Sequence, residues 1–253
     1  MIRIKTPREI DIMRRAGRIT AAARSFAGKM IAPGVTTQEI DKATEAFIRS
    51  QHAIPSCLGY GGFPASVCIS VNDQVIHGIP GSRAIRDGDV VSIDLCAGFE
   101  GYIGDCAATF IAGKARREED VKLLSITRQA FYEGLKYARP GYRVSDISAA
   151  VQQFVEANGF SAIRDYVGHG IGREMHEEPE VPNFGRPGHG PRLVRGMTIC
   201  IEPMVAAGDW PVKVLEDDWT VVTRDGSNAA HYENTVLITD GDPEILTVPE
   251  PEV

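Results

Sequence analysis

The chain repeats itself, and a repeat of this length leaves few folds open to it. Ala32-Pro33-Gly34, followed by a helical pattern with Ile40, Ala43 and Phe47, returns at one constant offset as Arg139-Pro140-Gly141 followed by Ile147, Ala150 and Phe154. Gly88-Asp-Val-Val-Ser-Ile-Asp94 returns at nearly the same offset as Gly196-Met-Thr-Ile-Cys-Ile-Glu202. Helices and strands recurring in the same order predict two pseudo-twofold-related helix-helix-strand halves, approximately 1–117 and 118–253. At 253 residues and 43% hydrophobic the chain can build one large core, so a single domain shared by both halves is expected. The fold class that follows is α+β, an antiparallel sheet covered by helices on one side.

The same repeat puts Asp94 and Glu202 at equivalent strand positions. Residues 88–110 read as two apolar strands around a glycine-rich turn at Gly98 to Gly101. With Phe99 and Glu100 as the tip, Asp94 faces Asp105, and opposed residues share a sheet face with Cβ atoms about 4.5–5.5 Å apart. Val90, Val91, Ile93 and Leu95 leave the first strand no polar face, and ionised carboxylates are almost never buried unpaired. Two like charges in such a hairpin need a cation. In the second half, Glu233 follows Glu202 in an apolar run of the same kind, His-Tyr-Glu233-Asn-Thr-Val-Leu-Ile, after a longer excursion. Each half supplies one carboxylate pair, and a pseudo-twofold axis would bring the pairs together.

A net charge of -7 argues against nucleic acid or an anionic membrane as partner. No apolar run approaches the roughly 18 residues of a membrane span. The N-terminus, Met1-Ile-Arg-Ile-Lys-Thr6-Pro7-Arg-Glu9, lacks the apolar core of a signal peptide and reads as a helix start, with Thr6 as N-cap and Glu9 completing a capping box. An unprocessed cytoplasmic protein is expected. Cys57, Cys68, Cys96, Cys106 and Cys200 are odd in number with no Cys-x-x-Cys spacing, so neither a disulfide framework nor a thiolate zinc site is indicated. Cys96, Cys106 and Cys200 read as small buried residues. Amphipathic patterns predict helices near 7–29, 37–51, 118–138 and 145–158. Strands are expected near 66–71, 74–77, 89–96, 103–111, 163–168, 197–203, 219–223 and 231–239, and the Gly- and Pro-rich segment 179–191 reads as an irregular surface loop.

Three histidines sit in glycine- or acid-rich settings: Val-Ile-His77-Gly-Ile-Pro, Gly-His169-Gly-Ile-Gly and Met-His176-Glu-Glu-Pro. The glycines flanking His169 let the backbone pass close to a ligand or metal. His52, His189 and His231 read as surface or structural residues, and Glu177 and Glu178 as solvated.

These segments, in this order, resemble the type I methionine aminopeptidases of the pita-bread fold, in their short bacterial form, peptidase family M24. The resemblance is carried by Ser-Val-Cys68-Ile-Ser-Val-Asn-Asp-Gln-Val-Ile-His77-Gly-Ile-Pro, the spaced Asp94 and Asp105, Gly-His169-Gly-Ile-Gly, His176-Glu-Glu-Pro, Gly-Met-Thr-x-x-Ile-Glu202-Pro-Met and Tyr-Glu233-Asn-Thr, and it runs from Ile4 to about Leu246. It implies Asp94, Asp105, His169, Glu202 and Glu233 as metal ligands, the same five that the acids and the glycine-flanked histidine single out. It also implies His77 and His176 as substrate-contacting histidines. Around the methionine side chain it implies Cys57, Tyr60, Phe63, Cys68 and Trp219, with Met175 at the edge. Phe63 and Met175 stand where the family often carries tyrosine and phenylalanine, so the pocket outline departs from the family's there.

The implied activity is removal of the N-terminal methionine from nascent polypeptides when the second residue is small, by a hydroxide activated between two divalent ions. Manganese, iron and cobalt suit the donor mix, and zinc is admissible. Glu202 is expected to shuttle the proton, His176 to stabilise the oxyanion and His77 to position the next residue's backbone. The protein is expected to act as a monomer; the sequence leaves ribosome docking open. Three rivals are disfavoured. Proline-specific peptidases of the fold usually carry a further N-terminal domain. A non-catalytic binding protein on the scaffold would have lost ligands. The type II enzymes need a helical insertion between His176 and Glu202 that the spacing does not accommodate.

Overall fold

A computed structural model describes residues 1–248; residues 249–253, the end of the second expected half, lie outside the described residues. Among the described residues there are four α-helices, α1 (Pro7–Lys29), α2 (Thr37–Ser50), α3 (Glu118–Leu135) and α4 (Val144–Ala157), each close to its expected bounds. Thr6 and Glu9 form the expected capping box on α1, and Thr36 and Glu39 form another on α2. The strands of the first part of the chain are β1 (Ile54–Pro55), β2 (Cys68–Val71), β3 (Gln74–Ile76), β4 (Val90–Phe99) and β5 (Tyr102–Ile111). Those that follow are β6 (Ser161–Ala162), β7 (Gly168–Gly170), β8 (Glu177–Val181), β9 (Thr198–Ile201), β10 (Met204–Ala206), β11 (Val212–Val214), β12 (Val221–Thr223), β13 (Ala229–His231), β14 (Glu233–Leu237) and β15 (Glu244–Ile245).

The main sheet runs β1-β4-β5-β14-β9-β7-β8, with β2 on β4 and β15 on β14; every pairing is antiparallel. Its central strands, β4-β5-β14-β9, carry or directly precede the four acids. Val91, Ile93, Leu95 and Ala97 of β4 turn one face onto Ala23 and Ala27 of α1 and Ile40 and Ile48 of α2. Ile199 and Ile201 of β9 pack on Ile126 and Ala130 of α3 and Ile147 and Val151 of α4. The other face of the central strands is left for the acids.

Several strand expectations need correction. The hairpin tip is Glu100 and Gly101, with φ of 48° and 80°, not Phe99 and Glu100. Positive φ at both central residues is the turn whose twist matches the flanking strands, and Gly101 tolerates it without cost. Gly98 instead pairs with Ile103 and leaves room for β1, because a Cβ there would lie 2.9 Å from Ser56 Oγ. Asp94 therefore opposes Ala107, and Asp105 opposes Cys96. The shift is an even number of positions, so both aspartates still share one face.

The expected strand at 163–168 is two short ones, β6 and β7, with the charged Arg164-Asp165 between them. The run at 197–203 ends at Ile201, short of Pro203, which has no N–H for the ladder. The run at 231–239 breaks at Tyr232, and the start of the expected loop at 179–191 is the end of β8.

Candidate metal centre and substrate pocket

Register builds the site as two neighbouring rungs on one face of the sheet. Cys68 of β2 opposes Asp94, which opposes Ala107 of β5, which opposes Glu233 of β14; Glu202 lies one position past the last pair of β14 and β9, Asn234 with Ile201. The next rung holds Cys96 opposite Asp105, Thr235 opposite Cys200, and His169 beside Gly170, the partner of Ile199. Asp105 is pinned by Thr235, whose Oγ1 accepts from the Asp105 N–H and donates to its carbonyl, both at 3.0 Å. Five donors from distant parts of the sequence thus meet because the alternation of side chains along each strand brings them onto the same face.

His169 is admitted by its glycines. A Cβ at Gly168 would lie 2.4 Å from Cys200 O, and one at Gly170 2.1 Å from Glu178 O. Its Nδ1 lies 2.9 Å from Gly170 O, so the Nδ1–H form donates there and aims the Nε2 lone pair inward, 3.5 Å from Glu202 Oε1 and 3.9 Å from Asp105 Oδ2. Behind the acids, the buried Arg24 of α1 donates to Ala107 O, Glu233 O and Asn234 Oδ1, tying β5 to β14 under the centre.

Burial pushes the carboxyls of Asp94, Glu202 and Glu233 well up, with the neighbouring acids adding to it, and raises Asp105 to about 7. Burial acts on the imidazoles in the opposite sense, lowering His169 to about 4, so it is neutral and free to ligate. Asp105 Oδ1, Glu202 Oε1 and Glu233 Oε1 are buried without hydrogen-bond partners. No lysine or arginine lines this cavity among the described residues. Orphaned carboxylate oxygens around a neutral imidazole are what divalent cations complete. Donor atoms of Asp105, His169, Glu233 and Cys200 all lie within 4.8 Å of one another, and Asp94 and Glu202 line the same cavity. Cys200 is the weak member: burial raises its thiol well above the usual range, and its Sγ sits 3.7 Å from Thr235 Oγ1.

All thirteen residues expected at the site line one cavity. Next to the carboxylates lies an apolar compartment of Cys57, Phe63, Cys68 and Met175, all buried, with Trp219 edge-on to Phe63 at 5.1 Å. His77 adopts φ 58°, unusual for a side-chain-bearing residue, with its ring edge-on to Tyr166 and Trp219. His176 is exposed, 4.2 Å from His169 ring to ring, and its Nδ1 lies 2.6 Å from the Tyr60 hydroxyl.

Three expectations change here. His231, read as surface or structural, is 2% exposed with Nε2 3.8 Å from Glu202 and 3.9 Å from Glu233. Glu177, read as solvated, has a side chain 4% exposed and paired with the buried Lys5 at 2.8 Å; Glu178 is exposed as expected. Cys96 is buried as expected but also lines the cavity, its N–H donating to Cys57 Sγ at 3.3 Å. Its place on the same strand face as Asp94, the next such position along, is the signal that could have found it.

The profile of metallopeptidase family M24 matches residues 11–240. The methionine aminopeptidase of Clostridium acetobutylicum is 53% identical over 251 residues, 99% of this chain and all of that protein. The crystal structure of methionine aminopeptidase from Thermotoga maritima superposes with a TM-score of 0.96 at 46% identity, covering 98% of this chain and 99% of that one. A prolidase from Pyrococcus horikoshii shares the fold at a TM-score of 0.77 and 24% identity, with this chain spanning 64% of it. The architecture is the expected α+β pita-bread arrangement.

Proposed function

Because the chain belongs to metallopeptidase family M24, we propose that it is a metal-dependent methionyl aminopeptidase, removing the first methionine of nascent polypeptides whose second residue is small. The observation that carries this reading is the junction of two environments in one cavity, a carboxylate cluster without a countercharge and a sulfur-lined apolar compartment. Soft, polarizable walls suit a thioether, and the acids suit a free, positively charged N-terminus. About 150 Å³ of open space fits one side chain and little more.

Asp94, Asp105, His169, Glu202 and Glu233 would hold two divalent ions, since four ionised carboxylates balance two double charges; manganese, iron or cobalt suits the oxygen-rich set, with zinc admissible. Bound there, such ions supply an acidified water and polarisation of the scissile carbonyl. Glu202, buried on the lining of this cavity, carries the proton of the attacking water towards the leaving amine. His176 accepts at Nδ1 from the Tyr60 hydroxyl, which leaves Nε2–H to donate to the developing oxyanion. His77, held on a positive-φ backbone beside Trp219, orients the peptide beyond the scissile bond and crowds a large second residue. Cys57, Tyr60, Phe63, Cys68, Met175 and Trp219 hold the methionine side chain.

We read residues 1–253 as one catalytic unit of two like halves, approximately 1–117 and 118–253, acting as a monomer in the cytoplasm, where five unpaired buried cysteines stay reduced. No helix of the described residues is long and apolar enough to cross a membrane.

The test is methionine release from a panel of Met-X peptides and their N-acetylated forms. Met-Gly, Met-Ala, Met-Ser and Met-Pro should be cleaved, Met-Leu and Met-Lys spared and acetylated peptides refused. Norleucine should replace methionine, because one such exchange in an apolar pocket is worth only about 1–3 kcal/mol. Comparable release from Met-Lys and Met-Ala would overturn the reading.

A further inference from the structure

His231 is a buried polar group for which the reading above has no use. Its ring is 2% exposed, and neither ring nitrogen has a hydrogen-bond partner. It cannot easily turn away, because its backbone is fixed to β5: the His231 N–H donates to Thr109 Oγ1, and that hydroxyl donates back to His231 O, both at 2.8 Å. Thr109 is held in turn by Ser92 of β4 at 2.8 Å. The ring is thus delivered to one place, where Nε2 stands 3.8 Å from Glu202 Oε2 and 3.9 Å from Glu233 Oε2. The other oxygen of each glutamate, Oε1, is buried and unpartnered, and that of Glu202 faces His169 Nε2 at 3.5 Å. Each carboxylate therefore shows one oxygen to His231 and keeps the other free.

Two buried nitrogens without partners are destabilising, and the metal-free arrangement offsets none of that cost. A carboxylate turning its free oxygen onto a cation needs to move by under about 1 Å to bring its second oxygen within N–H···O range of Nε2. We propose that His231 is a positioning residue of the metal centre: in its Nε2–H form it donates to the Oε2 atoms of Glu202 and Glu233, and so holds their Oε1 atoms on the metal. The inference rests on the assignment of these two glutamates as ligands. Groups that orient ligands from behind typically govern affinity by about 10–100-fold.

The experiment compares the parent protein with His231→Gln, which keeps an N–H donor, and His231→Leu, which keeps bulk alone. Cobalt(II) binding is measured by calorimetry on chelator-treated protein, and the melting temperature is measured in chelator. The leucine variant should bind cobalt about 10–100-fold more weakly while melting no lower than the parent, because an apolar side chain removes two unpartnered buried nitrogens. The glutamine variant should bind within about threefold of the parent, since the donor is restored. Unchanged affinity in His231→Leu would sink the proposal, as would equal weakening in both variants, which would make the imidazole itself a ligand. A lower metal-free melting temperature with unchanged affinity would assign His231 to packing and refute it too. Failure of the parent reading looks different: cobalt binding by Asp105→Asn equal to the parent's.

Discussion

Asp105→Asn separates the stability of this protein from its chemistry. Asp105 is 5% exposed, and burial raises its carboxyl from the ordinary 3.8 to about 7. A raised carboxyl means that the folded protein holds a proton the unfolded chain has given up. Its contribution to stability is therefore intact below pH 3.8 and lost as pH rises through about 7. At about 1.4 kcal/mol for each tenfold change in proton affinity, the loss is about 4 kcal/mol at pH 8 and under about 1 kcal/mol at pH 4. Asparagine removes the charge but adds a buried amide donor short of partners, costing about 1 kcal/mol, so the net gain at pH 8 is about 3 kcal/mol. For a chain of this size that is roughly 6–12 °C in melting temperature. Thermal unfolding in chelator should thus find Asp105→Asn more stable than the parent at pH 8 and nearly equal to it at pH 4. Divalent metal should reverse the order, raising the parent and leaving the variant unmoved, while peptidase activity of the variant is abolished. A variant that melts at or below the parent at pH 8 in chelator would refute the electrostatic argument; one that remains fully active would refute the metal assignment.

Two further outcomes follow from the histidine that faces the pocket. His176→Ala should lower kcat on a Met-Ala peptide by roughly 10²–10³, the effect of losing one oxyanion donor, with metal content unchanged on elemental analysis; a missing ion would reassign His176 as a ligand. Tyr60→Phe keeps the ring in the wall of the cavity and deletes only the hydroxyl 2.6 Å from His176 Nδ1. It should lower kcat by about 2–10-fold, the net strength of one hydrogen bond, with KM unchanged and a mixed tautomer at His176 by nitrogen NMR. A rise in KM alone would show that Tyr60 acts on binding.

Much of the site is legible in the sequence because its parts obey local rules. The helices carry apolar stripes, and Thr6 and Glu9 mark the first of their starts in plain sequence. Asp94 and Asp105 are recognisable as a pair even when the turn is misplaced, because an even slip in register leaves side chains on the same face. The turn is hard to place because two glycines compete for it: Gly101 serves conformation, whereas Gly98 serves the close approach of β1, a strand from earlier in the chain. His231 escapes a sequence reading for a related reason. Tyr232 interrupts the strand between it and Glu233, so the period that would have aligned them is broken, and Thr109, which anchors it, lies in the first half of the repeat. Glu177 looks solvated because its partner, Lys5, sits near the chain's start.

The two rungs also carry a consequence for how the molecule is made. Asp105 and Glu233 sit on adjacent strands, yet α3, α4 and every strand from β6 to β13 intervene between them along the chain. Joining β5 to β14 closes a very long loop, and that entropic cost precedes any stabilising contact across the seam, so such non-local pairings form slowly. Until the seam closes, neither strand pair presents enough donors to retain a divalent ion, so tight capture is a late event in folding rather than a seed for it. The rate at which refolding protein takes up metal therefore measures the zipping of one junction, β5 to β14, with Arg24 as its clasp.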